Sequence, residues 1–278
     1  MLDIIMLFIG LIGFGIAGYL DLKTTEFPDI IPYAMLAAII VLRLGFSFYS
    51  NDYSGLLGSI YTGMLFLTIG FSLYLLKQWG NGDAWLLGIL GFLYPNSFFR
   101  LNSNMLPIIP VQVIMLFNFL VVGFFYMLVY YLALGLKNRQ VVDSFLGRIR
   151  KRFGAKSVFL GIVLFGGYYS LVFYMSAISA SFYSKLILYI SIPALAVFYL
   201  LVIDYSKSVE KNLFKKEISV RELKIGDVLA NSRYKGLTKK DLIRLRKKGG
   251  YVWVKEGVRF VPSFFITVLF LLVFGSLL

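Results

Sequence analysis

The sequence predicts an all-α polytopic membrane protein with about 6–8 transmembrane helices and a small α+β soluble cytoplasmic domain. Of the 278 residues, 59% are hydrophobic and 15% are charged, and the mean hydropathy is +0.80. Globular domains average about 45–50% apolar and about 25% charged residues. A soluble fold of this length cannot bury so much apolar surface, so lipid is the expected surrounding for most of the chain.

Apolar stretches long enough to approach a membrane span recur along the chain, since such a helix needs about 20 mostly apolar residues. The candidate spans are roughly 2–20, 30–49, 56–76, 84–98, 111–136, 157–178, 184–203 and 261–278. They divide the chain into a membrane domain at 1–203, a basic domain at 204–260 and a final transmembrane helix at 261–278. We expect the first span to be retained, because it lacks a basic n-region and ends at Asp21 rather than at a small-residue cleavage site.

The distribution of Lys and Arg predicts the orientation. With the N-terminus outside, all but three of the 28 Lys and Arg residues fall on the cytoplasmic side, the exceptions being Arg43, Arg100 and Lys185. Cytoplasmic loops of membrane proteins carry an excess of these residues. The net charge of +14 therefore fits a plasma-membrane protein better than a nucleic-acid-binding one, and no nucleic-acid recognition motif accompanies it.

Two segments outside the spans have patterns of their own. Residues 137–156 place apolar side chains every four positions among basic ones, which is typical of an interfacial helix on anionic lipid: Val141, Phe145, Ile149 and Phe153. Within 204–260 we expect a strand at 224–230, a helix capped by Thr238 that runs through Lys248, and a hairpin at 251–262. The basic stretch 239–248 is expected to be a lipid-facing surface.

The chain contains no cysteine and no histidine. Disulfides, thiol nucleophiles, histidine triads and metal sites with Cys or His ligands are therefore excluded. We expect no cofactor and no metal. Any catalysis has to use carboxylates, hydroxyls, amines or backbone groups.

Two aspartates are the strongest functional candidates, because an ionisable residue at membrane depth is a functional candidate by default. Asp21 ends the first span, and Asp83 opens the fourth within Gly80-Asn81-Gly82-Asp83. The orientation places both at the cytoplasmic face. Taken singly, an aspartate at a membrane helix end is usually an interfacial cap or an ordinary solvated charge.

Rows of small residues predict a close approach of the helices that carry these aspartates. Gly10, Gly13 and Ala17 share a helix face with Asp21, and Ala84, Gly88 and Gly91 form a second row beside Asp83. Two carboxyl groups a few ångströms apart cannot both ionise cheaply, so one serves as a base and the other as an acid. Such a pair supports peptide hydrolysis by an activated water.

These residues resemble those of a known family. The stretch Asp21-Leu22-Lys23-Thr24-Thr25-Glu26-Phe27-Pro28-Asp29 is similar to the first-aspartate region of the type IV prepilin peptidases, most of all their archaeal preflagellin (archaellin) and prepilin branch. Gly80-Asn81-Gly82-Asp83 matches their G-x-G-D signature, and 258–262 resembles their segment before the last helix. The resemblance is clearest over residues 1–98.

The resemblance implies a membrane aspartyl endopeptidase that removes short basic class III leader peptides from archaellin or pilin-like precursors. It implies Asp21 and Asp83 as the catalytic pair, with Gly80, Asn81 and Gly82 supporting the motif. Glu26 and Asp29 are candidates for recognition of the basic leader, or are simply solvated. Bacterial members often carry a cysteine-rich zinc loop and methylate the new N-terminus. This chain lacks the loop, so we expect no methyltransferase activity.

Two other functions remain open at this point. The same buried acids fit a proton- or cation-coupled transporter, although both lie at one face rather than near the midplane. A membrane scaffold that docks partners through 204–260 is the third hypothesis. The triplet Pro193-Ala194-Leu195 is similar to a presenilin motif and is interpreted as a chance match. Lys23 and Arg43 are interpreted as an inner-face marker and an outward-snorkelling charge, and Trp79 and Trp85 as interfacial anchors.

Overall fold

The computed structural model describes residues 2–76, 78–94, 110–154, 161, 164–170, 182–224, 226–230, 236–255 and 257–274. The chain forms two compact units, which are treated separately. The aspartate unit comprises Met1–Val129 and Glu256–Leu278. The basic unit comprises Tyr130–Lys255.

Four helices of the described residues are long and apolar enough to cross a membrane: α1 (Leu2–Thr24), α2 (Ile30–Ser50), α3 (Ser54–Leu75) and α5 (Val111–Leu136). Two further helices of the aspartate unit, α4 (Asn81–Leu93) and α9 (Pro262–Phe274), have 13 described residues each. A 13-residue helix is about 20 Å long, which is short of the roughly 30 Å apolar thickness of a bilayer. The described residues thus contain four candidate spans, and a total of six to eight stays a prediction. The span at 157–178 lies mostly outside the described residues.

The core of the aspartate unit is built from leucines of α4 and from aromatic rings of α1, α5 and α9. Phe14 stacks on Phe264 with ring centroids 5.6 Å apart, and Phe119 lies 4.6 Å from the same ring. Leu86 and Leu90 are fully buried beside them. α4 is therefore enclosed by protein although it is short.

In the basic unit, α6 (Arg139–Arg152) packs on the C-terminal part of α7 (Phe182–Leu213). Val141 of α6 is fully buried, and the Phe145 ring meets that of Tyr205 at 5.2 Å. The expectation of an apolar stripe laid on lipid is wrong at these positions, because the side chains bury against α7 instead. Phe153 lies past the end of α6 and is 48% exposed.

A three-stranded antiparallel sheet with strand order β1-β3-β2 follows α7. Its strands are β1 (Lys215–Ser219), β2 (Val228–Leu229) and β3 (Tyr251–Lys255), and α8 (Lys239–Lys248) packs on it through Leu242. The prediction for α8 is confirmed, since the Thr238 hydroxyl accepts from the Asp241 N–H. Of the strand expected at 224–230, only β2 is present. The expectation of a hairpin at 251–262 is wrong, because β3 is the central strand and pairs with both β1 and β2.

Candidate functional site

Asp21 lies in the last turns of α1 and is 4% exposed. Its Oδ2 accepts a hydrogen bond of 3.0 Å from the backbone N–H of Val261, directly before α9. One turn earlier, a Cβ on Gly18 would stand 3.1 Å from the Pro262 Cα. A residue without a side chain at position 18 therefore lets the backbone before α9 come close enough to bind the Asp21 carboxylate.

Asp83 is the third residue of α4 and is half-buried. Its Oδ2 accepts from the backbone N–H of Gly80 at 3.1 Å, which is the capping arrangement expected of a carboxylate in a first helical turn. The positive end of the helix dipole favours a negative charge there. A Cβ on Gly82 would stand 2.5 Å from the Phe27 ring, so Gly82 leaves room for a side chain that follows Asp21 in the chain.

Asp21 and Asp83 belong to the same unit, and their catalytic pairing stays a prediction. The Asp21 charge acts electrostatically on the Asp83 carboxyl, and the Arg259 guanidinium acts on Asp21. Each carboxyl has its Oδ2 bound to a backbone N–H. Neither Oδ1 has a hydrogen-bond partner within the described part of the chain, and neither is sealed from solvent. One oxygen of each acid is thus held in place while the other is available to a water or a peptide.

Aromatic contacts connect the segment that binds Asp21 to the loop that leads into Asp83. The Trp79 ring lies 5.4 Å from that of Phe260 and 5.9 Å from that of Phe119. Trp79 directly precedes Gly80, and Phe260 directly precedes Val261. Trp79 is therefore packed in the core cluster of the unit, and Trp85 likewise contacts the rings of neighbouring residues rather than standing alone.

Sequence reasoning missed the role of Val261, which acts through its backbone N–H. Any residue except proline carries this donor, so the side chain gives no signal. Arg259 is signalled only by its place before the last helix. Tyr126 fixes this segment further, because its hydroxyl donates to the Arg259 carbonyl oxygen at 2.9 Å.

The remaining predicted residues of the site lie around this pair. Asn81 begins α4 and is exposed. Glu26 and Asp29 are exposed in the loop between α1 and α2, where Thr25 adopts a left-handed conformation with φ 62°. The side chain of Asp29 makes no capping hydrogen bond to α2. Both acids are therefore open to a ligand, and their role in recognition stays a prediction.

The expected partner of the small-residue row on α4 is wrong. A Cβ on Gly91 would meet the Thr62 carbonyl oxygen at 2.7 Å, and Ala84 lies against Gly70. The row therefore packs backbone to backbone on α3 rather than on α1. The row on α1 receives large side chains instead, since Gly10 faces Tyr94 and Gly13 faces Met35.

The interpretation of Arg43 as an outward-snorkelling side chain is also wrong. Arg43 is 4% exposed, and its Nη2 donates to the Leu93 carbonyl oxygen at 2.8 Å. The Ser59 hydroxyl donates to the adjacent carbonyl of Phe92. Both acceptors lie at the C-terminal end of α4, where helical carbonyls lack partners and a cation is favoured. These donors explain how the short α4 can end among apolar side chains.

Two further expectations concern a metal and the presenilin-like triplet. Among the described residues, no group of three or more acidic side chains is arranged to hold a metal ion. Pro193-Ala194-Leu195 belongs to α7 of the basic unit, and Leu195 is 63% exposed.

Apolar helices long enough to cross a membrane indicate a helical membrane protein, and Asp21 and Asp83 are its candidate site residues. The comparisons with known proteins make the class more specific. Residues 8–132 match the type IV leader peptidase family, and this stretch contains both Asp21 and Asp83. The part of the chain that carries the aspartates is therefore similar to the type IV leader peptidase family. No curated protein and no solved structure gives a significant match. The family implies a membrane protease of the aspartic type that acts on prepilin-type precursors.

Proposed function

We propose that this protein is a G-x-G-D aspartyl endopeptidase that removes short basic class III leader peptides from archaellin or pilin-like precursors. Cleavage takes place at the cytoplasmic membrane face, with the N-terminus of the enzyme outside. Asp21 and Asp83 are the catalytic residues. The observation that carries the proposal is that both carboxyls, each bound to a backbone N–H, lie within the stretch that matches the family.

The arrangement of the two acids supports hydrolysis by a water. One aspartate is ionised and takes a proton from the water, while the water oxygen bonds to the scissile carbonyl carbon. The other, protonated, gives its proton to the carbonyl oxygen. Collapse of the resulting diol breaks the C–N bond. One diol hydroxyl returns its proton to the second aspartate, and the proton held by the first aspartate passes to the leaving amine. The backbone N–H groups of Val261 and Gly80 hold one oxygen of each acid, so the acids are positioned before substrate binds.

The loop between α1 and α2 supports recognition of a basic leader. Glu26 and Asp29 are exposed there and carry negative charge within eight residues of Asp21. A leader with Lys or Arg gains attraction from this loop. Neutralising both acids with Glu26→Gln and Asp29→Asn should raise KM for a basic leader more than it changes kcat.

The experiment that tests the proposal is cleavage of a precursor with a class III leader in proteoliposomes. Wild type is compared with Asp21→Asn and Asp83→Asn at matched folded yield. Asp143→Asn is the control, because Asp143 is an exposed acid of α6 and loses the same charge. We expect cleavage by wild type and by the control, and none by either variant of the pair.

Each other result has a definite meaning. Cleavage that survives both substitutions removes these aspartates from the active site. A covalent adduct trapped between enzyme and peptide contradicts attack by water. A folded wild type that cuts neither an archaellin nor a pilin precursor, while it drives proton-coupled uptake into vesicles, contradicts the peptidase and supports a transporter.

A further inference from the structure

The basic unit contains an open pocket that has no part in the paired-aspartate site. Its volume is about 390 Å³. α6, α7, β1 and β3 all contribute to its lining: Arg148, Lys207, Glu210, Lys211, Lys215 and Trp253. Four of these six side chains are cations and one is an acid. Every lining residue belongs to the basic unit.

The single acid of the pocket is already neutralised. Glu210 forms an ion pair with Lys255, whose Nζ lies 2.8 Å from Oε1. Arg148 and Lys207 act at a distance on Asp204, and Lys215 acts at a distance on Glu210. Arg152 holds the Asp204 carboxylate in a bidentate pair. None of the four cationic side chains of the pocket forms a hydrogen bond or an ion pair with another described residue. The pocket therefore presents uncompensated positive charge.

We propose that this pocket binds the phosphate group of an anionic phospholipid from the leaflet next to the basic unit. Four cationic donors around one opening suit a phosphate, which accepts several charge-assisted hydrogen bonds. A basic leader peptide is excluded as the occupant by like-charge repulsion. The ligand of the pocket therefore has the opposite charge to the basic leader that we propose as substrate. The inference does not depend on the peptidase activity.

The position of the pocket along α7 favours a lipid as the source of the phosphate. The apolar part of α7 matches the candidate span at 184–203, and charged residues begin at Asp204. With a helical rise of about 1.5 Å per residue, Lys207 lies about 6 Å and Lys211 about 12 Å beyond residue 203. The headgroup layer on each side of a bilayer is roughly 5–8 Å thick, and lysine side chains reach back toward it. The two lysines are one turn apart and so share a helix face.

Trp253 gives a second, independent indication of a lipid surface. It is 51% exposed, although it lies on the central strand of the sheet opposite Glu217. Its neighbours Val252 and Val254 point to the other face and pack against α8. Tryptophan is enriched at the level of lipid headgroups, where its ring and its N–H are both accommodated. An exposed indole beside four cations thus fits a headgroup better than a small soluble anion.

The experiment uses the full chain in neutral detergent and measures binding of dioctanoyl phosphatidylglycerol, dioctanoyl phosphatidylcholine and inorganic phosphate. The test variant is Lys207→Gln with Lys211→Gln. The control is Arg221→Gln with Lys224→Gln, which removes the same charge from exposed positions that follow β1. A lysine near an anionic headgroup contributes about fivefold in affinity, so the test variant, which lacks two, should bind phosphatidylglycerol about 25-fold more weakly. The control should change far less.

Three results overturn the proposal. They are equal losses in the two variants, no loss in the test variant, and inorganic phosphate or phosphatidylcholine binding as tightly as phosphatidylglycerol. A second measurement remains valid if the double variant does not fold. In vesicles of phosphatidylcholine with a minor share of brominated phosphatidylglycerol, the bromine should quench wild-type tryptophan fluorescence more than brominated phosphatidylcholine does. Trp253→Phe should remove this excess, and an unchanged excess contradicts the pocket.

Discussion

Gly70→Ala tests whether the packing of α3 on α4 sets the position of Asp83. Gly70 faces the backbone of Ala84, the residue directly after Asp83. A Cβ at position 70 would stand 2.8 Å from the Ala84 carbonyl oxygen and 2.9 Å from its Cα. Both atoms belong to a helical backbone, so no flexible side chain can move aside.

The size of the displacement follows from these distances. Ordinary van der Waals contact begins near 3.4 Å, so the helices have to separate by about 0.6 Å at this point. Overpacking of this kind destabilises a fold by about 1–3 kcal/mol. A misplacement of about 1 Å in a catalytic group lowers a rate by about 100-fold. We therefore expect Gly70→Ala to lower kcat between about 10-fold and about 100-fold while the protein stays folded.

The assay is single-turnover cleavage of a leader-bearing precursor in proteoliposomes, with thermal unfolding measured on the same preparations. Gly45→Ala is the matched control, because Gly45 is inside α2 and a Cβ there meets nothing within 4 Å. Alanine at such a helical position should stabilise slightly, by about 0.5–1 kcal/mol. Wild-type cleavage by Gly70→Ala, or an equal loss in Gly45→Ala, would refute the reasoning.

Two further predictions concern buried and partly exposed charge. Arg43→Met keeps the apolar stem of the side chain but leaves the Leu93 carbonyl oxygen without this donor. In thermal unfolding we therefore expect a loss of about 1–3 kcal/mol in stability. Arg139→Met, at an exposed site, should cause no such loss. The hydrogen bond from Lys255 lowers the pKa of Glu210, so the pair stabilises the fold at neutral pH and this contribution is lost as pH falls through the lowered pKa. Glu210 is 42% exposed, so Glu210→Gln should destabilise by less than about 1 kcal/mol at pH 7. In denaturant titrations the difference should shrink below about pH 4, and a difference that grows there would contradict the assignment.

Several features of the molecule could be predicted from local sequence. The spans α1, α2, α3 and α5 follow from apolar runs, and α8 follows from the cap at Thr238 and the charges behind it. The placement of Asp21 near the end of α1 and of Asp83 in the first turn of α4 also follows from local sequence. These inferences succeed because helix length, capping and charge distribution depend on residues that are neighbours in the chain.

Other features could not be predicted from local sequence. The small residues of α4 were assigned to the wrong partner helix, since a row of glycines shows that a backbone approaches without showing which one. Arg43 was placed outside, because its acceptor at Leu93 is 50 residues away in the chain. The central position of β3 was missed because both of its partner strands precede it at a distance.

The sequence by itself determined the class of the protein and its two candidate acids: an apolar chain without cysteine or histidine, with Asp21 and Asp83 at helix ends. Only the tertiary structure decided what holds those acids. The Val261 N–H lies 240 residues from Asp21 in the chain and binds it through an atom common to nearly every residue type. Nearly every residue has a backbone N–H, so the sequence does not indicate which one binds a given carboxylate. Only the folded structure shows which donor lies next to the acceptor.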